Sequence, residues 1–523
     1  MSVTQIEIVV SLLVVAIPLV ALARRANIPY PILLVMGGLA LGFIPGLPDV
    51  QLDPNLVLLI FLPPLLYWEA ITAPTDVMWA NRTQIGMLAV VLVVITTLAV
   101  AAAAHALIPH LSWPVAVVFG AIVAPTDELA AVPVLERFQM PRHLIAIVEG
   151  ESLINDGASL VIYAAAVTAV VTGGFDLRRV PLLIGIVVIG SIALGLLAAR
   201  AAVEGWRRIR DTDLQSVISL LLPFVSYVPA TLVGGSGVLG VLTAGAYANR
   251  LTPTVLTPES RLRLVGFWDT FVFVANTLLF LLVGLQLHGL LAGVFERNSW
   301  QSVLWYAVAI NAVVISVRFA WILFTEYIPF VGGSSEHAAP NWRHATIAAW
   351  SGMRGAVSLA AALAIPLTVA GGGAFPDRGL IVFLTFTVIV VTLVGFGLTL
   401  PAVVARLHVT DDDHEEGEEL KRALAAASQA ALERIDVLER ERRLDPPDAQ
   451  ILRRRYERMR ERGGALEGPA RDAASRRSSA EREVIEAERE ALIAMRARGE
   501  IDNAVFRQVQ LALDVAHTSK RLG

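Results

Sequence analysis

Apolar runs of about 20 residues, long enough to cross a bilayer as helices, follow one another from Gln5 to Val404. Charge is sparse within this block and dense beyond about residue 405. At 523 residues and 55% hydrophobic, with a mean hydropathy of +0.64, the chain is too apolar for a soluble protein of its length. Lipid offers no partner to backbone N–H and C=O groups, so each run must bond internally as a helix. The expected fold class is therefore an all-α polytopic membrane protein with a helical soluble tail.

We place about thirteen spans, near Gln5–Ala23, Tyr30–Ile44, Asp53–Ile71, Gln84–Ile108, Ser112–Leu135, His143–Thr172, Val180–Val203, Leu214–Leu232, Gly237–Ala248, Leu264–Leu290, Ser302–Phe324, His344–Ala370 and Leu380–Val404. The second and ninth are short. The first is followed by Arg24 and Arg25 and has no basic segment in front, the wrong order for a cleaved signal peptide. Arg82, Arg137, Arg142, Arg207, Arg208, Arg210, Arg250, Arg261, Arg263 and Arg343 fall on the same side as that pair. Only Arg178, Arg179, Arg297 and Arg378 fall opposite. The excess marks the first side as cytoplasmic. The N-terminus is then outside and the tail after Arg406 inside.

Two spans carry breakers at mid-depth. The fifth contains Ala124-Pro125-Thr126-Asp127-Glu128, where Pro125 removes a backbone donor. The twelfth contains Ser351-Gly352-Met353-Arg354-Gly355, a weak point of two glycines around an arginine. Paired interrupted helices at matching positions in two halves point to a transporter site. The spans before and after the seventh then read as an inverted repeat, inferred from topology rather than from residue similarity.

Between the breaks in sequence lies EGESLINDGASLVIY, Glu149 to Tyr163, with Glu151, Ser152, Asn155 and Asp156 inside an apolar run. Spacings of three and four put Ser152, Asn155 and Asp156 on one helix face. A carboxylate at this depth is costly unless it faces a wet cavity or a partner, so Asp156 is the candidate carrier. Oxygens of Asp156, Ser152 and carbonyls freed at Pro125 suit a small hard cation. Desolvation penalises an ionised carboxyl group, so a proton and a metal ion compete for the same oxygens. If only the two loaded forms cross, the result is antiport. Asn155 cannot ionise, so one exchangeable charge predicts one cation per proton.

The remaining polar residues are read around that site. Asp127 suits a helix cap, a counter-charge to Arg354, or an ion ligand, and Thr126 beside it suits ion contact. Glu151 needs a buried cation, and Arg318 in the middle of the eleventh span is the one we pair with it, since losing either would strand a charge. The alternative is that Arg318 snorkels to the surface. Arg354 is expected where two half-helix ends meet. Glu69, in FLPPLLYWEA, is either a funnel carboxylate or an interfacial residue, with Tyr67 and Trp68 as belt aromatics. No Walker loop, HExxH or GxSxG is found, so neither ATP-driven transport nor common hydrolysis is supported. The absence of Cys excludes disulfides and thiolate sites. In the tail, Leu420–Arg443 and Ala480–Arg498 have helical spacing, interrupted between them by Pro446 and Pro447. Solvated helices or a coiled-coil dimer contact are expected there.

GESLINDG, with FLPPLLYWEA, APTDELAAV and GMRGAVSLA in order, resembles the sodium/proton exchanger family, the bacterial NhaP-type and animal NHE-type antiporters. The likeness runs from Ile6 to about Arg406. It implies thirteen spans with two broken, crossing helices, and electroneutral exchange by an elevator-like motion. It divides residues 1–406 into core helices, about 84–172 and 302–404, and dimerisation helices, about 5–71 and 180–290. It implies that Asp156 binds Na+ (or Li+ or K+) with Ser152, Thr126 and Asp127, that Asn155 supports it, and that Glu69 lies near. It also implies the Glu151–Arg318 pair, a homodimer in the cell membrane, and a cytosolic, regulatory tail at 407–523. Na+ and H+ are then substrates, with no cofactor, no enzymatic activity and no nucleic-acid partner. The family usually has Pro after the residue matching Asp127, where this chain has Glu128.

Overall fold

A computed structural model describes residues 3–26, 28–44, 59–128, 131–173, 180–327, 342–407 and 414–463. The chain divides into two compact units, Met1–Thr410 and Asp411–Gly523. In the first unit the helices are α1 (Val3–Ala26), α2 (Tyr30–Gly42), α3 (Leu62–Thr72), α4 (Thr75–Ala80), α5 (Arg82–Leu107), α6 (Trp113–Val123) and α7 (Val132–Arg137). There follow α8 (Arg142–Thr172), α9 (Val180–Arg208), α10 (Thr212–Leu232), α11 (Gly237–Val255), α12 (Pro258–Arg297) and α13 (Trp300–Tyr327). The last are α14 (Trp342–Trp350), α15 (Ala356–Leu363) and α16 (Arg378–Leu407).

Among the described residues, eight helices are long and apolar enough to cross a membrane, and α2 and α6 are shorter apolar helices. The burial pattern is that of a protein dissolved in lipid. Ile17, Ile189 and Leu197 are 69%, 70% and 65% exposed, whereas Arg318, Arg354, Glu151 and Asp156 are 2%, 1%, 2% and 3% exposed. A water-soluble surface of such apolar residues would cost free energy at every one. Part of the expected third span, Asp53 to Asn55 and on to Leu58, lies outside the described residues.

Local chemistry sets the helix ends. Asp211 accepts from the N–H groups of Asp213 and Leu214 (3.0 and 2.9 Å) at the start of α10, and Thr257 and Ser236 cap α12 and α11. Gly173, at φ 69°, closes α8. Helices α5 and α16 each hold a π-helical turn, Met87–Val91 and Val391–Phe396. The second places Thr392, whose hydroxyl donates to the Val388 carbonyl at 2.8 Å and accepts from the Arg354 backbone N–H at 3.1 Å.

Helix α8 lies against α6 and against the π turn of α5, while α12 lies along α2 and also meets α1 and α16. Between α12, α3 and α10 sits an aromatic knot. Tyr67 hydrogen-bonds Ser219 at 3.1 Å, and the Trp268 indole donates to the same Ser219 at 3.0 Å. Tyr67 is fully buried and Trp68 stacks on Trp268. The belt position expected for Tyr67 is therefore wrong. Its hydroxyl is satisfied by a serine in the packed interior instead of by the bilayer interface.

In the second unit, α17 (His414–Arg440) and α18 (Pro446–Gly463) form a helical hairpin. Arg453 bridges Asp436 and Glu439 at 2.6 Å each. Pro446 and Pro447 lie at the expected break, where they open α18. Proline is tolerated in a first turn, where its missing N–H has no helical partner to lose. The expected helix Ala480–Arg498 lies outside the described residues.

Candidate functional site

Two chain breaks meet at the centre of the first unit. Helix α6 ends at Val123 and the backbone runs non-helically through Glu128. Helix α14 ends at Trp350 and α15 begins at Ala356. The breaks touch directly, with the Asp127 N–H donating to the Met353 carbonyl at 2.7 Å. Such backbone survives at membrane depth because protein covers it.

Asp127 and Arg354 tie up the exposed ends. The Asp127 Oδ2 accepts from the Ala356 N–H at 2.8 Å, the first residue of α15. The cap is thus made on the helix of the other break, and the negative charge sits at a helix N-terminus where it is stabilised. Arg354 donates to the carbonyls of Val123 (3.2 Å) and Gly352 (2.5 Å). Both glycines are required by close approach. A Cβ on Gly355 would collide with the Asp127 carboxylate, and one on Gly352 with the Arg318 guanidinium.

Arg318, on α13, reaches the same region from behind. It bonds both Glu151 oxygens, at 2.5 and 3.1 Å, and donates to the carbonyls of Ala349 and Ala348 at 3.1 and 2.9 Å. It therefore neutralises Glu151 and fills the open C-terminal end of α14 together. Snorkelling is excluded by its 2% exposure.

Helix α8 carries Glu151, Ser152, Asn155 and Asp156 to the first break. The Thr126 hydroxyl donates to Glu151 at 3.1 Å and accepts from the Asn155 amide at 2.9 Å. The Ser152 hydroxyl donates to the Thr126 carbonyl at 3.0 Å. These bonds fix Thr126 and Ser152 while leaving lone pairs on their oxygens. A cavity opens beside them, its wall including Glu69, Thr126, Asp127, Ser152 and Asp156. Asp156 is 3% exposed and makes no hydrogen bond or ion pair among the described residues. Glu69 has one buried carboxylate oxygen without a partner.

Of the sequence-derived residues, the structure brings Asp156, Asp127, Thr126, Ser152 and Glu69 to this wall. Asn155, Glu151, Arg318 and Arg354 stand one layer behind and hold it. Hard oxygens from three carboxylates, a serine and a threonine form a donor set for an alkali cation and not for a soft metal.

A family model described as sodium/hydrogen exchanger, transmembrane, matches residues 9–406. The chain belongs to the sodium/hydrogen exchanger family. It is a monovalent cation/proton antiporter, a transporter and not an enzyme. An uncharacterized Na(+)/H(+) exchanger of Mycobacterium tuberculosis is 34% identical over 522 residues, covering 97% of this chain and 95% of the relative. A Bacillus subtilis protein described as a sodium, potassium, lithium and rubidium/H(+) antiporter is 31% identical, covering 74% of this chain and 60% of its own length. Among solved structures, the sodium proton antiporter MjNhaP1 of Methanocaldococcus jannaschii superposes with a TM-score of 0.60 at 21% identity. That match covers 77% of this chain and 98% of the other, and supports the fold.

Sequence reasoning missed two residues of the exchanger's site. Asn276, on α12, reaches the cavity wall, and Thr392 holds the Arg354 backbone from the π turn of α16. Asn276 carried a usable signal, since it is a lone amide in the apolar run FVFVANTLLFLL. Thr392 carried none, because its role depends on a π turn that no local pattern announces.

Proposed function

We propose that this exchanger moves Na+, or another alkali cation, against H+ one for one, with Asp156 binding either ion and never both. The observation that carries the reading is Asp156 itself, 3% exposed, in the middle of a membrane-length helix, facing a cavity and without an ion-pair partner among the described residues. A buried carboxylate that nothing neutralises must take a cation or a proton. Thr126 and Ser152 add oxygens for the metal ion, Asp127 contributes while capping α15, and Asn155 orients Thr126. Glu69 draws cations toward the site. One-for-one exchange requires that Glu69 keep the same protonation state in both half-cycles, so that Asp156 alone changes charge.

The same reading includes about thirteen spans in an inverted repeat whose broken members cross at Asp127 and Met353. Residues 84–172 and 302–404 form a core that moves against helices of residues 5–71 and 180–290, which also make the homodimer. The close packing of α8 on α6 and of α12 on α2 supports that division, with α12 meeting α15 and α16 across it. The N-terminus lies outside and the tail, a regulatory segment, inside the cell membrane, as the arginine distribution favours. Relatives named for sodium, potassium, lithium and rubidium support a broad cation range.

Everted vesicles with a trapped pH dye test the reading. Addition of NaCl should dissipate an imposed proton gradient with wild type and not with Asp156→Asn. If the Asn variant exchanges at the wild-type rate, Asp156 is not the carrier. An imposed membrane potential should leave the steady-state gradients unchanged, and a shift would contradict the stoichiometry.

A further inference from the structure

Asn276 is the amide that the aromatic and aliphatic run of α12 delivers to the Asp156 cavity. It is 1% exposed, and neither its Nδ2 nor its Oδ1 has a hydrogen-bond partner. A buried amide bare at both ends is costly, and polar groups of this kind are otherwise paired in folded proteins. A ligand that visits the cavity would satisfy it. The other cavity oxygens considered so far come from α3, α8 and the first break. Helix α12 packs chiefly along α2 and also meets α1, α15 and α16, so Asn276 reaches the cavity from a helix that supplies none of those oxygens.

We infer that Asn276 is a further cation ligand, its side-chain carbonyl completing the oxygen shell around an alkali ion held at Asp156. The inference rests on the proposed role of Asp156 and adds a specificity-determining residue to it. A neutral carbonyl oxygen supplies coordination without a second exchangeable charge, so it leaves the one-for-one stoichiometry intact. In the conformation described, its placement on α12, outside the moving core, sets how far it stands from the Asp156 helix. That separation selects among ions of different radius, because an oxygen held rigidly cannot follow a larger or smaller ion. Loss of the oxygen should therefore change the order of cation preference as well as the affinity.

The test uses purified full-length protein in liposomes, with initial exchange rates measured against Li+, Na+ and K+ at fixed pH. Asn276→Leu keeps the size and removes the oxygen. We expect the half-saturating Na+ concentration to rise about tenfold, the change for one lost interaction with a charged group. The ratio of Na+ to K+ half-saturation should change at least threefold. If Asn276→Leu does not elute as a single folded species, Asn276→Asp replaces it. That variant keeps an oxygen and adds charge, so it should lower the half-saturating Na+ concentration and shift the pH profile. Half-saturation within twofold of wild type for all three ions, in whichever variant folds, overturns the inference. Asp156→Asn is run alongside. If it exchanges normally, the carrier assignment fails whatever Asn276 does, and if it is inactive while the Asn276 variants resemble wild type, only the present inference fails.

Discussion

Removal of Arg318 should damage the exchanger far more than its distance from the cavity suggests. The guanidinium makes four bonds, two to Glu151 and one each to the carbonyls of Ala348 and Ala349. Arg318→Met keeps much of the volume and removes all four donors. Glu151, 2% exposed, is then left ionised and unpaired, which costs about 3–5 kcal/mol. The two carbonyls at the end of α14 lose partners at about 1 kcal/mol or more each. The sum corresponds to a fall in melting temperature on the order of 10 °C for a domain of this size. Glu151→Gln should cost less, because the amide oxygen can still accept from Thr126 and Arg318. The double variant should be milder than the two single losses added, by about 2 kcal/mol, since no charge is stranded in it. Thermal melting in detergent, followed by intrinsic tryptophan fluorescence on wild type, both singles and the double, measures all four corners. A melting point for Arg318→Met within one or two degrees of wild type would refute the buried-pair argument. So would strict additivity in the double.

Gly355→Ala should abolish exchange with a modest loss of stability, because the new methyl displaces the Asp127 carboxylate from the Ala356 N–H. The cap alone is worth about 0.5–2 kcal/mol, so folded protein without transport is the expected result, read by vesicle assay on monodisperse material. Glu69→Gln should raise the half-saturating Na+ concentration several-fold without abolishing exchange; complete loss would place Glu69 among the carriers. Competition between H+ and cation at Asp156 has a definite sign. A fall in pH loads the carboxyl group with H+, so on the acid limb each unit should raise the half-saturating Na+ concentration about tenfold, levelling off at alkaline pH. A half-saturation that ignores pH while the rate changes would place the proton elsewhere.

Within single helices the site was legible in advance. The spacing of Ser152, Asn155 and Asp156 is set by the 3.6-residue turn, and α8 displays it as one polar stripe. Pro125 and the Gly352–Gly355 pair announced the two breaks, because a missing donor and missing side chains weaken a helix wherever they stand. Glu151 announced a need for a cation through the cost of burying its charge. The partner of Asp127 was not legible, since the half-helix it caps begins 229 positions later. The burial of Tyr67 was equally hidden, because a tyrosine at a span end suits the bilayer interface and a packed core alike until Ser219 and Trp268 are in place.

The sequence by itself determined a lipid-solvated bundle of helices, a charged helical tail, and a carboxylate sunk in an apolar span that had to have a use. These follow from transfer energies and helical periodicity, which act on neighbours along the chain. The tertiary structure alone decided that two broken segments meet and bond at Asp127 and Met353, that Arg318 serves Glu151 and the end of α14 at once, and that Asn276 reaches the cavity from α12. Those contacts join residues far apart in sequence, and only the packing of one helix against another sets the distances that make them.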